Sequence, residues 1–103
     1  MAREVNDVLG ILELQFFLYN ENKSFILSEF KKQIIKVAPN IPYKICTERK
    51  VEYDEYEVIT VKFTKKLSFH KAVNLINNMI IKNGITYSEF CHQPEKNLLM
   101  INV

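Results

Sequence analysis

The run Lys65-Lys66-Leu67-Ser68-Phe69-His70-Lys71 places three lysines and a histidine at the expected entrance to a helix. Backbone N–H groups and the positive end of the helix dipole favour a phosphate at such an entrance. Lys71, Asn74, Asn78 and Lys82 follow at i, i+3, i+7 and i+11, a helical stripe of cations and amides. Nucleic-acid phosphates are contacted by Lys, Arg and Asn side chains of this kind. Arg49 and Lys50 close the preceding strand and are expected near the same face. The candidates for nucleic-acid contact are therefore Arg49, Lys50, Lys65, Lys66, His70, Lys71, Asn74, Asn78 and Lys82. The same spacing also describes the wet side of an ordinary amphipathic helix, and composition alone favours that plainer reading.

Other chemistry finds little support. Gly10 and Gly84 are the only glycines, so no glycine-rich loop cradles a phosphate. Cys91 and His92 are adjacent, and neighbours on a strand point to opposite faces. Cys46 with His70 is conceivable in space, but nothing in the sequence supports that pair. Two cysteines and two scattered histidines do not make a zinc site. The acidic tract Glu52–Glu57 lacks the layout of a calcium loop and reads as a solvated hairpin tip. Tyr53 and Tyr56 in that tract have rings that can stack on bases, although tyrosines in a hairpin more often pack across strands. Phe63 and Phe69 read as core. No metal, cofactor or small-molecule substrate is expected, and no catalytic role.

The chain has 103 residues, of which 48% are apolar and 25% charged, the balance of one folded domain spanning 1–103. Fourteen Lys and Arg against twelve Asp and Glu give a formal charge of +2. The distribution is uneven: residues 1–57 carry eight bases and ten acids, and residues 58–103 six bases and two acids. Between Glu57 and Glu89 there is no acid, yet Lys62, Lys65, Lys66, Lys71 and Lys82 all fall there. A basic face is therefore expected on a mildly basic molecule. No apolar run approaches the ~20 residues that cross a bilayer. The opening MAREVNDVLGILEL does not read as a secretory signal, and residues 1–9 are expected to fray. Cys46 and Cys91 are expected to be free buried thiols in a reducing compartment.

These residues need a frame. Gly10–Tyr19 alternates as a strand, with Leu12, Leu14, Phe16 and Leu18 on one face and Glu13, Gln15 and Phe17 on the other. Asn20–Lys23 is a loop. Phe25–Val37 is a helix with Ile26, Phe30, Ile34 and Val37 in one stripe and Lys31, Lys32 and Lys36 on its wet side. Ser24 or Ser28 is the expected cap, and Pro39 and Pro42 stop the helix. Tyr43–Lys50 and Val58–Thr64 are strands, the latter facing Ile59, Val61 and Phe63 inward. Ser68–Asn83 is a second helix, capped by Ser68 and closed by Gly84, with Phe69, Ala72, Val73, Ile76, Met79 and Ile80 as its apolar stripe. Ile85–His92 and Leu98–Asn102 flank a turn and close a hairpin. The expected order is β-α-β-β-α-β-β, an α+β two-layer sandwich of two helices on one mostly antiparallel sheet.

Taken together, these segments resemble the eukaryotic large-subunit ribosomal protein family numbered twenty-two, the L-twenty-two-e family. The resemblance runs from about Leu12 to the C-terminus. It lies in the opening strand LELQFFLY, the helix end Phe30-Lys-Lys-Gln-Ile-Ile-Lys-Val37, the strand Ile-Cys-Thr-Glu-Arg49, and Val58-Ile-Thr-Val61 leading through Lys65-Lys66 into Ser68-Phe69-His70-Lys71. It continues in Ile80-Ile-Lys82-Asn83-Gly84-Ile85 and Tyr87-Ser-Glu-Phe90. The order and flavour of all of them carry the likeness, and no single motif does. The chain departs from the family in holding Asn77 and Asn78 where the second helix usually has more lysines, and in lacking the basic head and acidic tail.

The resemblance implies an α+β protein on the outside of the large subunit that binds ribosomal RNA and catalyses nothing. It implies RNA contact at Lys65, Lys66, Lys71 and Lys82; His70, Asn74 and Asn78 join them by position. Ribosomal RNA and neighbouring ribosomal proteins are the expected partners, in the cytoplasm and away from any membrane. The low net charge supports a different class, a small α+β protein–protein adaptor or inhibitor without RNA. That protein would use a strand edge or the Tyr53–Tyr56 tip.

Overall fold

The computed structural model describes residues 10–18, 23–51, 55–84 and 89–103. The elements run β1 (Ile11–Leu18), α1 (Lys23–Val37), β2 (Tyr43–Val51), β3 (Glu55–Leu67), α2 (Phe69–Met79), β4 (Glu89–Gln93) and β5 (Leu98–Asn102). This is an α+β fold in the expected element order. The spatial order of the strands is β2-β3-β1-β5-β4, so the first strand lies in the middle. β1 pairs antiparallel with β3 and parallel with β5, and the remaining pairs are antiparallel. The expected fraying of residues 1–9 and the Tyr53 side of the hairpin tip lie outside the described residues.

Strand alternation puts one apolar row under the helices. Phe16 stands opposite Ile59 and Ile101, and Leu14 opposite Val61 and Leu99, all buried. The row continues to Tyr43 opposite Phe63, and Phe30 of α1 meets the Tyr43 ring edge-on at 5.1 Å. Burying aliphatic and aromatic side chains of this size contributes roughly 1.5–3 kcal/mol each. Ile59, Val61 and Phe63 face inward as expected. Leu12 does not. It is half-buried, and Ile11 takes the core position at 0% exposure. The cause is an irregularity at this end of β1, where the β1–β3 register shifts. The N–H groups of Leu12 and Glu13 there both donate to the Asn97 carbonyl. A break in alternation moves a side chain to the other face.

α1 begins at Lys23, so Ser24 and Ser28 lie inside it rather than at its cap. It stops where expected: the Ala38 N–H still donates to Ile34 at 2.8 Å, and Pro39 has no N–H to continue. α2 is shorter than expected by its last turn, which tightens into a 3₁₀ turn at Ile81–Asn83. Gly84 closes it with φ +76°, where a Cβ would be strained. Leu75, absent from the expected apolar stripe, is fully buried with Ala72, Ile76 and Met79. The hairpin strands run on to pair Val51 with Glu55, further than the expected ends. β4 is described from Glu89, and the expected start at Ile85 lies outside the described residues. β5 has the expected bounds. The reverse face of the sheet carries Cys46, Thr60, Gln15, Met100 and Cys91 in one cross-strand row. Cys46 is exposed and Cys91 half-buried, which corrects the expectation of two buried thiols. β2 is an edge strand, and an edge residue on the face away from the helices has nothing to bury it.

Candidate nucleic-acid interface

The flank of α2 is built by a cap and a period. The Ser68 hydroxyl accepts from the Lys71 backbone N–H at 3.2 Å, which fixes the first turn and leaves neighbouring N–H groups pointing outward. Lys65 and Lys66 lead into this turn and are exposed. Gly10 sets the course of the Lys66 stem: a Cβ on Gly10 would stand 2.8 Å from Lys66 Cδ and 3.0 Å from its Cβ. A side chain at Gly10 would push the Lys66 stem aside.

At 3.6 residues per turn, His70, Lys71, Asn74 and Asn78 fall within about 100° of the α2 circumference, and Lys82 follows in the 3₁₀ turn. His70, Lys71, Asn74 and Lys82 are exposed and Asn78 is half-buried. Asn74 Nδ2 lies 3.4 Å from His70 Nε2, so these two side chains support each other along the stripe. The part of the stripe on α2, from Lys71 to Asn78, spans roughly 11 Å. The stripe turns from the open side at His70 into a groove against α1 at Asn78 and Lys82, which Glu29, Lys32, Gln33 and Lys36 of α1 line from the other side. Glu29 thus brings a carboxylate to the groove end of a flank whose own sequence holds none. Glu29 is 8% exposed and is held by Asn83 Nδ2 at 2.9 Å.

Arg49 and Lys50 do not join this group. In the antiparallel hairpin Arg49 stands opposite Glu57 and Tyr43 opposite Phe63, so Arg49 lies at the far end from Lys65. Eight residues of strand separate those levels, roughly 27 Å. Arg49 is paired with Glu55, and Lys50 Nζ lies 2.9 Å from Glu48. Lys62 projects from the reverse face between Lys44 and Glu13.

The residues weighed for catalysis are dispersed. Cys46 and the helices lie on opposite sides of the sheet, so it does not meet His70. His92 faces the helices with its ring 4.8 Å from Phe69, while Cys91 faces away. Among the described residues no group of three or more His, Cys, Asp and Glu side chains is placed to hold a metal ion. Also among them, no helix is long and apolar enough to cross a membrane.

Sequence reasoning missed Lys32 and Lys36 as partners of this flank, along with Gln33, Glu29 and Asn83. Their helical spacing was visible, but the contact between α1 and the end of α2 depends on how the two helices share the sheet. No family model, curated protein or solved structure matches the chain.

Proposed function

We propose that this chain is a structural protein of the large ribosomal subunit, in the cytoplasm, that binds ribosomal RNA with the flank running from Lys65 to Lys82. The supporting observation is that flank itself: exposed cations and amides on one side of a capped helix, within a stretch from Val58 to Ser88 that contains no acid. Lysine ammoniums and helix N-terminal N–H groups bind phosphate oxygens without reading bases. The deep groove of A-form RNA is closed to side chains, so contact of this kind positions a duplex by shape and backbone. The chain would act as a clamp beside neighbouring ribosomal proteins, with no reaction of its own. The family resemblance points the same way.

The test is Lys66→Glu, Lys71→Glu and Lys82→Glu in one chain, followed by sedimentation with large subunits at increasing salt. Association is expected to fall at least tenfold, because each reversal replaces an attraction to phosphate by a repulsion. Wild-type incorporation of the triple variant would sink the reading.

One observation favours the adaptor reading: the sheet ends in two edge strands, β2 and β4, with the nine residues of β2 largely exposed. Yet β2 carries Lys44, Glu48, Arg49 and Lys50, the charge pattern that protects an edge from pairing. A stable complex with protein alone, in fractions free of RNA, would favour this second reading.

A further inference from the structure

Glu29, Lys32, Gln33 and Lys36 recur at i, i+3, i+4 and i+7 of α1 and so share one side of it. With Asn78, Lys82 and Asn83 at the end of α2 they line a groove of about 460 Å³. Three ammoniums face one carboxylate there. That carboxylate is already engaged: Glu29 Oε1 accepts from Asn83 at 2.9 Å, and Oε2 lies 3.9 Å from Lys32 Nζ. Asn83 Nδ2 also donates to the carbonyls of Asn78 and Met79, at 3.2 and 3.1 Å, so the floor is tied to both helices. Lys36 and Lys82 have no carboxylate partner among the described residues. What remains is a surplus of positive charge beside side-chain amides that can donate, the chemistry that receives phosphate oxygens.

The shape of the lining narrows the ligand. None of the seven lining residues is aromatic or aliphatic, so a base or other flat apolar group finds no wall to pack on. A free nucleotide is poorly served, whereas a sugar–phosphate strand lying along the groove needs only its oxygens met. Lys32 and Lys36 are one helical turn apart, roughly 6 Å, which is of the order of the step between successive phosphates of an RNA strand.

We infer that the groove between α1 and the end of α2 seats the phosphodiester backbone of an RNA strand, with Lys32, Lys36 and Lys82 on successive phosphates and Gln33 and Asn78 donating to their oxygens. This rests on the RNA-binding reading above and extends its footprint from one helix onto two. Glu29 then acts as a positioning residue, holding Asn83 and Lys32 while opposing the ligand's charge.

Two measurements test it on the full chain. The first titrates inorganic pyrophosphate into labelled protein and follows the side-chain amide signals of Gln33, Asn78 and Asn83 by NMR. Those signals are expected to shift, about tenfold more weakly in Lys32→Gln/Lys36→Gln and more tightly in Glu29→Gln, which keeps an oxygen for Asn83 but loses the charge. A merely structural Glu29 would not sharpen anion binding when neutralised. The second measures the salt that releases the chain from large subunits. Lys32→Gln/Lys36→Gln is expected to come off at lower salt, with the slope of log affinity against log salt reduced by roughly 1.5. Thermal unfolding of each variant is the control for an intact fold. Unmoved Gln33, Asn78 and Asn83 signals, or release of the α1 variant at wild-type salt while Lys66→Glu/Lys71→Glu is lost, would overturn the groove and leave the ribosomal reading standing. Pyrophosphate binding in the groove by a wild-type chain that never sediments with subunits would overturn both the ribosomal reading and RNA as the occupant, leaving only a phosphate site.

Discussion

The two N–H groups of the Asn83 carboxamide lie within reach of three oxygens, those of Glu29, Asn78 and Met79, so one N–H is shared between two acceptors. Two of the oxygens are carbonyls at the end of α2, where the helix has run out of N–H partners. The third belongs to a carboxylate that is 8% exposed. Asn83→Ala therefore removes a C-terminal cap and strands a largely buried charge, with Lys32 at 3.9 Å as its remaining partner. Leaving a buried acceptor unmet costs about 1–3 kcal/mol, and the variant is expected to lose that much stability in a urea titration. Asn83→Asp sets a second carboxylate against Glu29 and is expected to lose more. Equal stability of wild type and Asn83→Ala would show that the tie between the helices contributes nothing. The residue looks like an ordinary turn asparagine in the sequence. Its role appears only when Glu29, 54 positions earlier, is brought beside it.

At the scale of the element, α2 couples stability to the candidate interface. Ser68→Ala removes the hydroxyl that accepts from Lys71 and is expected to cost about 1 kcal/mol, a drop of a few degrees in melting temperature. An unchanged melting temperature would deny Ser68 its role as cap. This cap was legible in advance because it is local chemistry: a serine before an apolar period. The stop of α1 before Pro39 and the span Leu98–Asn102 were legible for the same reason. What failed was non-local. Leu12 lost its core place to Ile11 through an irregularity that depends on β3 and on the carbonyl of Asn97. Nothing in the alternation of β1 indicated that it would be the central strand with a parallel neighbour. The candidate stripe from His70 to Lys82 was legible as period, whereas its second wall on α1 was not. Arg49 and Lys50 were misplaced although a hairpin had been expected. A short turn already requires that the start of β2, not its end, lie beside Lys65.

The molecule spans 43 × 27 × 23 Å, and its charge is not arranged by halves of the sequence. The balance of the first 57 residues is acidic, yet Lys32 and Lys36 from that half fold against Lys82 from the other. At the far end of the hairpin Arg49 and Lys50 are matched by Glu55 and Glu48, and Glu57 opposite Arg49 leaves that end with no surplus of positive charge. At physiological salt a charge is screened beyond about 8 Å, and roughly 27 Å of strand separate the Arg49 level from Lys65. If the chain binds large subunits as proposed, Arg49→Ala with Lys50→Ala is expected to leave the salt slope of that association within about half a unit of wild type. Lys71→Ala alone is expected to lower it by about one, the share of a single phosphate contact. The two variants separate a footprint on the helices from one that wraps the sheet edge. If the hairpin pair weakens association as much as Lys71→Ala does, the RNA reaches β2, and a molecule this narrow is held from both ends rather than along one flank.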